Sequence, residues 1–394
     1  MQRPFNNVLN MKKYKKKPFL ILFLLIAIVF FSLLSPLLFT NKILLNEVIV
    51  TFPEYADELG MIFSIMSPFI AIAAVFATFA AFWTQYRANQ EMLCNNEKMQ
   101  VERQFFEMLR IHKDNVENIE FQKWELTSTG RPFESWLDTI SIYHNKSNNP
   151  KEIPRYEKIK EKGHQAIEIC AKEFEVIDKL LEYYSKKYQE ERGKNFVHPN
   201  RKIWLQRVYN IFYYGKEAIT WKDKYYNEGL YEYQYEKISE KASKCSSSEL
   251  MIPDDDKESV DIYKPLLGYV WLKGHSSQMN HYYRQLFLLV KYIVNVDDSL
   301  YSTKQEAYNT KRNYLRMVRA QLSGSEQVLL FYNWLSGKGS KWEDEINHFF
   351  SDYRMIHNIW PSELGRYNQR EFRNLFPLKI QKENENDMMF EFEE

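Results

Sequence analysis

Residues 18–40 read PFLILFLLIAIVFFSLLSPLLFT, and residues 61–83 read MIFSIMSPFIAIAAVFATFAAFW. Each stretch has 23 residues and no charge. A helix of that length extends about 34 Å, which is enough to cross the hydrocarbon core of a bilayer. Only 20 residues separate the two stretches. The sequence therefore predicts a two-span transmembrane helical hairpin, which forms a membrane module at residues 18–86.

The alternatives to a membrane hairpin fit these stretches less well. A cleaved signal peptide has an apolar core of roughly 7–15 residues and then a small-residue cleavage site, and the first stretch has neither feature. A buried core helix is the alternative for the second stretch, but the closeness of the two stretches favours a hairpin. Small residues in the second stretch would let another helix approach closely, so we expect a homo-oligomer. These residues are Ala71, Ala73, Ala74, Ala77, Ala80 and Ala81.

The charges that flank the two stretches predict the orientation of the hairpin. Six basic residues and no acidic residue precede the first stretch, whereas the connecting segment has one lysine and four acidic residues. Basic residues are retained on the cytoplasmic side of a membrane. Residues 1–17 are therefore expected to be a basic cytoplasmic N-terminus, and the C-terminus is also expected in the cytoplasm.

The remainder of the chain has the composition of a helical domain. Aromatic residues make up 16% of the chain, which has only 12 glycines and 13 prolines, and this balance favours long helices packed through large side chains. Residues 61–394 carry 46 basic and 48 acidic residues, so they lack the broad basic field of a nucleic-acid-binding domain and no direct DNA binding is expected. We predict a mainly α fold, with a helical cytoplasmic domain at residues 87–380 and an acidic flexible tail at residues 381–394.

The second span is predicted to continue into this domain, either as one long helix or as a helix with a soft break, because residues 69–129 contain neither glycine nor proline. His112 lies on one helical face with apolar residues of this segment, which favours a buried core histidine over a catalytic or ligand-binding one. The segment Tyr231–Glu236 alternates with the period of a strand in helical surroundings, and both alternatives remain open. The residues on the face of His112 are Phe105, Leu109, Val116 and Ile119.

The segment MNHYYRQLFLLVKYI, residues 279–293, presents two helical faces. One face carries His281 and Arg284, with Leu288 and Lys291 farther along. Because an imidazole titrates near neutral pH and a guanidinium binds oxyanions, this face is a candidate for proton transfer or phosphate binding. The alternative is a polar face that holds neighbouring helices by hydrogen bonds. The other face is an apolar stripe of Met279, Tyr282, Tyr283, Leu286, Val290 and Ile293.

The segment YLRMVRAQLSGSEQVLLFYNW, residues 314–334, predicts two helices separated by a Ser-Gly-Ser break. Ser323 and Glu326 have the spacing of a capping box at the start of the second helix. Arg316 and Arg319 could bind phosphate, but the neutral charge of the domain disfavours DNA recognition. The apolar side of the first helix is predicted to consist of Met317, Val318 and Leu322.

Motifs of known enzyme classes are missing from the sequence. It contains no Walker-type lysine loop, GxSxG or HExxH motif, and its histidines form no cluster of metal ligands. The three cysteines stand far apart and fit neither a disulfide framework nor a paired metal motif, so no metal or cofactor is expected. These absences favour a protein without enzymatic activity. Because catalytic groups can come from distant segments, His281, Arg284 and Arg319 are kept as candidates for a catalytic site.

Five segments of the chain resemble the AbiC-like family of phage abortive infection proteins. They are RQFFEMLRIHKDNVENI from Arg103, GRPFESWLDTI from Gly130, VYNIFYYGK from Val208, HYYRQLFLLVKYI from His281 and YLRMVRAQLSGSEQVLLFYN from Tyr314. The family pattern in the fourth segment is Tyr-Phe-Arg-His-Leu-Tyr. Gln285 stands where that pattern has its histidine, which puts a catalytic role of this position in doubt.

The resemblance implies phage defence by growth arrest or death of the infected cell, and it implies no established reaction. Together with the two predicted spans, it places the protein in the bacterial inner membrane. We expect an effector whose helical domain senses a phage protein, or release from a partner defence protein, and whose two spans then perturb the lipid bilayer. The alternatives are a membrane-tethered enzyme such as a nuclease, and a scaffold subunit of a multigene defence system. The sequence leaves the trigger, the oligomeric state and the partner genes open.

Overall fold

The computed structural model describes residues 26–27, 30, 56–126, 156–193, 201–215, 218, 228–245, 257–357 and 359. Most of these residues are helical, which confirms the mainly α class. The predicted first span lies outside the described residues apart from positions 26, 27 and 30, which are helical. The N-terminus, the segment from Gly130 and the acidic tail lie outside them as well. The structure therefore shows no two-span hairpin.

Eight α-helices and two β-strands occur in the described part of the chain. The helix predicted for the second span is much longer than the span itself. The elements are α1 (Ala56–Glu117), β1 (Glu120–Leu126), β2 (Tyr156–Lys162), α2 (Gly163–Arg192), α3 (Arg201–Tyr214), α4 (Glu228–Cys245), α5 (Lys257–Tyr263), α6 (Ser276–Val294), α7 (Lys304–Arg319) and α8 (Gly324–Leu335).

The helix α1 is continuous over 62 residues and contains Pro68. This confirms that the second predicted span continues as one long helix. Among the described residues, one helix, Ser67–Glu117, is long and apolar enough to cross a membrane by length and composition, with a mean hydropathy of 1.7 in its most apolar window. The apolar window has none of its residues buried in the protein.

The chain divides into two compact units. The first consists of residues 1–102 and 297–302. Within it, the thiol of Cys94 lies 3.7 Å from the carbonyl oxygen of Leu300, and the Lys98 ammonium lies 5.4 Å from the centre of the Tyr301 ring. The second unit consists of residues 103–296 and 303–394, and it contains the helical core.

The core of the second unit is built around α2, which packs against α3, α4, α5 and α8. Buried residues recur every three or four positions along this 30-residue helix, as a central helix requires. The ring of Phe174 stacks on that of Tyr332 at a centroid distance of 4.3 Å, and it meets the edge of the Phe212 ring. Tyr231–Glu236 lies within α4, so the ambiguous segment is helical.

A two-stranded antiparallel sheet, not predicted from the sequence, connects α1 to α2. The strands pair from Glu120 opposite Lys162 to Leu126 opposite Tyr156. The segment at Tyr269 adds a single bridge to β1, with the amide of Val270 2.8 Å from the carbonyl oxygen of Gln122. Ion pairs Lys123–Glu161 and Lys160–Glu120 cross between the strands. These strands are rich in charged residues and lack a buried apolar stripe, so their sequence gives little strand signal.

Two glycines bring the end of α3 against the start of α6. Gly215 has a φ of +58° and Gly274 a φ of +81°, values that glycine adopts at little cost. A Cβ atom on Gly215 would lie 2.6 Å from the backbone nitrogen of Gly274, and one on Gly274 would lie 2.7 Å from the carbonyl carbon of Tyr214. The His275 amide donates to the Tyr213 carbonyl across this contact at 3.0 Å. The two backbones therefore touch directly and fix the position of His275.

Gly215→Ala is expected to lower the free energy of unfolding by about 2–4 kcal/mol, because the new methyl group overlaps a backbone that cannot move aside. Gly193→Ala is the matched control. Gly193 has a φ of +60°, and no atom of the described part of the chain lies within 4 Å of the position that a Cβ would take there, so this variant should lose only about 1 kcal/mol. Urea unfolding of the detergent-solubilised protein, followed by circular dichroism, measures both. If both variants lost the same free energy of unfolding, the close approach of Gly215 to Gly274 would not contribute to stability.

Candidate functional site: two buried carboxylates

The carboxylate of Glu326 is the centre of the first polar cluster. Glu326 lies in the first turn of α8 and forms a capping box with Ser323. Its own amide donates to the Ser323 hydroxyl at 3.2 Å. In return, the Ser323 amide donates to Glu326 Oε2 at 2.7 Å. This confirms the capping box predicted from the sequence. The same carboxylate is completely buried, so it needs further donors beyond those of a surface cap.

Two side chains from other helices supply hydrogen bonds to the Glu326 carboxylate. The Tyr282 hydroxyl of α6 donates to Oε1 at 3.0 Å, and His164 Nδ1 of α2 lies 3.0 Å from Oε2. Tyr282 is buried, whereas the His164 side chain is 60% exposed. Burial, followed by the charge and hydrogen bond of Glu326, raises the pKa of Tyr282 well above its usual value. Tyr282 therefore stays protonated, and His164 connects the buried carboxylate with solvent.

His112 lies beside this cluster without a hydrogen bond. Its ring centre is 5.4 Å from that of Tyr282, and neither ring nitrogen has a hydrogen-bond partner among the residues that the structure describes. The residue is 1% exposed, which confirms that it is a core histidine. Burial, with a smaller effect of the charge of His164, lowers the pKa of His112 to about 4. The His112 imidazole is consequently neutral near physiological pH.

A second buried carboxylate, Glu173, holds His275. Glu173 Oε2 lies 2.8 Å from His275 Nε2, and Oε1 accepts the Leu272 amide at 2.8 Å. Leu272 has a φ of +63°, a strained conformation for a residue other than glycine. On the other side of the imidazole, Nδ1 lies 3.6 Å from the thiol of Cys170. The ring stacks on Phe121 at a centroid distance of 5.7 Å.

The second cluster has the order thiol, imidazole, carboxylate that activates nucleophilic cysteines. Burial lowers the pKa of His275, but the charges and hydrogen bonds of Cys170 and Glu173 outweigh it and raise this pKa well above the usual value. All three side chains are buried, with exposures of 1% for Cys170, 0% for Glu173 and 7% for His275. A substrate does not reach a thiol so enclosed, and the cluster acts as an internal anchor that ties α2 to the start of α6.

Sequence reasoning missed the Cys170–Glu173–His275 cluster. The available signal was the spacing of Cys170 and Glu173 at i and i+3 on one face of an amphipathic helix. The histidine comes from a segment about 100 residues later in the chain, and only the tertiary structure brings it to that face. No group of three or more His, Cys, Asp or Glu side chains suited to a metal ion occurs in the part of the chain that the structure describes.

The three residues proposed as a catalytic site take different positions. The apolar stripe of α6 is buried as predicted, from Met279 to Ile293, and His281 and Arg284 are exposed on the opposite side. Arg319 donates from a guanidinium nitrogen to the Arg354 carbonyl at 3.0 Å and thereby ties the end of α7 to a later segment. One detail of α7 was wrong: Met317 is 46% exposed, while Val318 and Leu322 are buried.

Two further hydrogen bonds join residues of the resembling segments. The Asn333 amide of α8 donates to the Tyr209 hydroxyl of α3 at 2.8 Å, and the Tyr283 hydroxyl donates to the Leu329 carbonyl at 3.1 Å. Burial raises the pKa of Tyr209 above its usual range. These hydrogen bonds connect three of the resembling segments, those from Val208, His281 and Tyr314.

Comparison with known families matches the part of the chain that supplies one side of both clusters. Residues 274–364 match the family described as "Putative phage abortive infection protein". This confirms the resemblance for the last two of the five segments. The matched segment begins at Gly274 and supplies His275, Tyr282 and Glu326, whereas α2 supplies Cys170, Glu173 and His164. Searches of curated proteins and of solved structures find no match to the chain.

Glu326→Ala is expected to reduce the free energy of unfolding by about 3 kcal/mol, because it leaves the buried Tyr282 hydroxyl and the Ser323 amide without an acceptor. Ser323→Ala is the matched variant, since it removes only the cap and should cost about 1 kcal/mol. Chemical unfolding of both proteins in the same detergent gives the two values. If Glu326→Ala were no more destabilising than Ser323→Ala, the buried carboxylate would be only a helix cap.

The low pKa of His112 predicts a loss of stability in weak acid. The unfolded chain binds a proton at His112 near pH 6.5, but the folded chain does so only near pH 4. The stabilisation is therefore complete above pH 6.5 and falls with pH, by about 2 kcal/mol between pH 7 and pH 5. His112→Phe should remove this part of the pH dependence, as measured by urea unfolding at both values.

His275 provides the internal comparison, because its pKa is raised whereas the pKa of His112 is lowered. Its contribution is complete below pH 6.5 and declines as pH rises towards the raised pKa. The two histidines therefore act in different pH ranges. An unchanged pH 7 to pH 5 difference in His112→Phe would refute the assignment to His112.

Proposed function

We propose that this protein is an antiphage effector of the abortive infection type that acts by perturbing the bacterial inner membrane. The match of residues 274–364 supports the role in phage defence. The observation that carries the membrane part is the helix α1, whose apolar portion is exposed while its later portion enters the helical core. In this proposal the second unit controls the spans, and copies of the chain associate through them.

The apolar portion of α1 has the surface of a lipid-facing helix. Residues 61–86 carry no charge, and Val75, Phe79 and Phe82 are 68%, 55% and 65% exposed. The hydroxyl of Thr78 donates back to the Ala74 carbonyl at 2.8 Å, so it needs no water. Aromatic residues lie at the end of the uncharged stretch and a basic residue follows them, as is typical of a membrane interface. They are Phe82, Trp83, Tyr86 and Arg87, with the Arg87 guanidinium 5.7 Å from the Trp83 ring centre.

The later portion of α1 belongs to the core of the second unit. Phe105 is fully buried and packs against Tyr314 at a centroid distance of 4.7 Å. Val116 is 4% exposed, and His112 lies beside Tyr282. In this proposal, α1 joins lipid-facing residues to residues of the buried cluster. We propose that a phage protein, or loss of a partner defence protein, changes the packing of the second unit and that α1 transmits this change to the membrane.

A charge placed in the apolar portion of α1 tests the proposal. Val75→Lys should abolish both protection against phage and the fall in membrane potential after infection, because a lysine at the centre of a span costs about 2.5–3.5 kcal/mol for insertion. Met99→Lys is the matched control, since Met99 is 54% exposed on the same helix and follows the uncharged stretch. A voltage-sensitive dye and plaque counts in infected cells give the two readouts.

The outcomes separate the alternatives. Full protection by Val75→Lys without depolarisation would contradict membrane perturbation. The membrane-tethered enzyme is tested with Arg284→Ala and Arg319→Ala after a check of folding. Lost protection with normal depolarisation in those variants would favour the enzyme. A scaffold subunit would show neither depolarisation nor dependence on the two arginines.

A further inference from the structure

A pair of tyrosines at the end of α3 contacts Lys338 on one element and α6 on another. The Lys338 ammonium donates to the Tyr214 hydroxyl at 2.9 Å and lies 4.4 Å from the centre of that ring. It also lies 5.5 Å from the centre of the Tyr213 ring. The Tyr213 hydroxyl donates to the side-chain oxygen of Asn280 on α6, and Arg284 lies one helical turn farther along the same face of α6. The tyrosine pair therefore contacts both Lys338 and the face of α6 that carries Arg284.

Arg284 is available for a ligand. Its side chain is exposed, and in the part of the chain that the structure describes it makes no hydrogen bond or ion pair with another residue. Asn280 lies one helical turn before it, and its side-chain oxygen accepts a hydrogen bond from the Tyr213 hydroxyl. His281 lies three residues before Arg284 and is also exposed. Two residues with hydrogen-bonding side chains therefore precede Arg284 on the same helical face.

The cluster is held on a rigid base. The contact between Gly215 and Gly274 and the hydrogen bond from the His275 amide to the Tyr213 carbonyl fix the tyrosines beside α6. Burial, with a contribution from Tyr214 and against the effect of Arg284, raises the pKa of Tyr213 to about 12. The Tyr213 hydroxyl is therefore neutral at physiological pH and adds no negative charge beside the cations.

We propose that Arg284, Lys338 and the Tyr213–Tyr214 pair form a binding site for a phosphate group, either of a soluble phosphorylated molecule or of a phospholipid headgroup. A guanidinium offers two parallel N–H donors to phosphate oxygens, and a lysine ammonium adds a point charge. The Tyr214 hydroxyl and the Asn280 amide nitrogen would supply neutral hydrogen bonds, while the Tyr213 hydroxyl holds the Asn280 side chain in place. Arg319, bound to the Arg354 carbonyl, takes no part. The inference does not depend on membrane perturbation, because a membrane-tethered enzyme could use the same site.

Binding of inorganic pyrophosphate to the full-length protein in an uncharged detergent tests this site. We expect saturable binding by titration calorimetry, weakened about tenfold or more by either Arg284→Gln or Lys338→Gln, since each removes a charge-assisted contact. Tyr214→Phe keeps the ring and should have a smaller effect in the same direction. The controls are Lys304→Gln and Lys341→Gln, which remove exposed charges elsewhere in the second unit and should bind like the parent.

Further arms identify the source of the phosphate and the class of anion. Stronger capture by vesicles that contain phosphatidate than by phosphatidylcholine vesicles, lost in the Arg284 and Lys338 variants, would assign the site to a headgroup. Pyrophosphate binding without such capture would assign it to a soluble molecule. The proposal is overturned if pyrophosphate does not bind, if the control variants weaken binding equally, or if citrate binds as tightly as pyrophosphate. Circular dichroism of each variant verifies its fold.

Discussion

A carboxylate removed from water is stable only when hydrogen-bond donors replace the lost solvent, and the second unit meets this requirement at both Glu326 and Glu173. Each carboxylate receives a backbone amide and a side chain from another part of the chain. Because the donors come from α2, α6 and the segment before α6, the helices are held in one relative arrangement. Apolar packing alone tolerates small shifts of helices, whereas a buried ion with fixed donors does not.

The need of buried carboxylates for hydrogen-bond donors explains the polar contacts of residues 274–364, which match the family. Ser323 and Glu326 look like a helix cap in the sequence, but the same carboxylate also binds Tyr282 and His164. His275, at the start of the matched residues, joins Glu173 of α2. The match covers residues 274–364, yet both clusters are completed only by residues outside it. The matched segment is therefore one part of a larger helical core and does not form these centres by itself.

The features that could be predicted from the sequence are those that repeat along one element. The buried stripe of α6, the capping box at Ser323, the burial of His112 and the length of α1 all follow from helical periodicity or from local caps. The paired strands before α2 were missed, because their charged residues are stabilised by partners on the other strand. The Cys170–Glu173–His275 cluster was missed because spacing within α2 does not indicate which distant segment will face it. The hydrogen bond of Arg319 could not be predicted from the sequence either, since its acceptor is a backbone carbonyl of a later segment.

The direct contact of Gly215 with Gly274 closes the intervening 58 residues into a loop that is pinned at its base. That loop includes α4 and α5. The cost of closing a long loop changes little with its length, so insertions or deletions in its connecting segments would leave Tyr213 and His275 where they are. Any side chain at the pinned base would instead separate the two backbones. Length variation among related proteins should therefore concentrate inside this loop and stop at its two glycines.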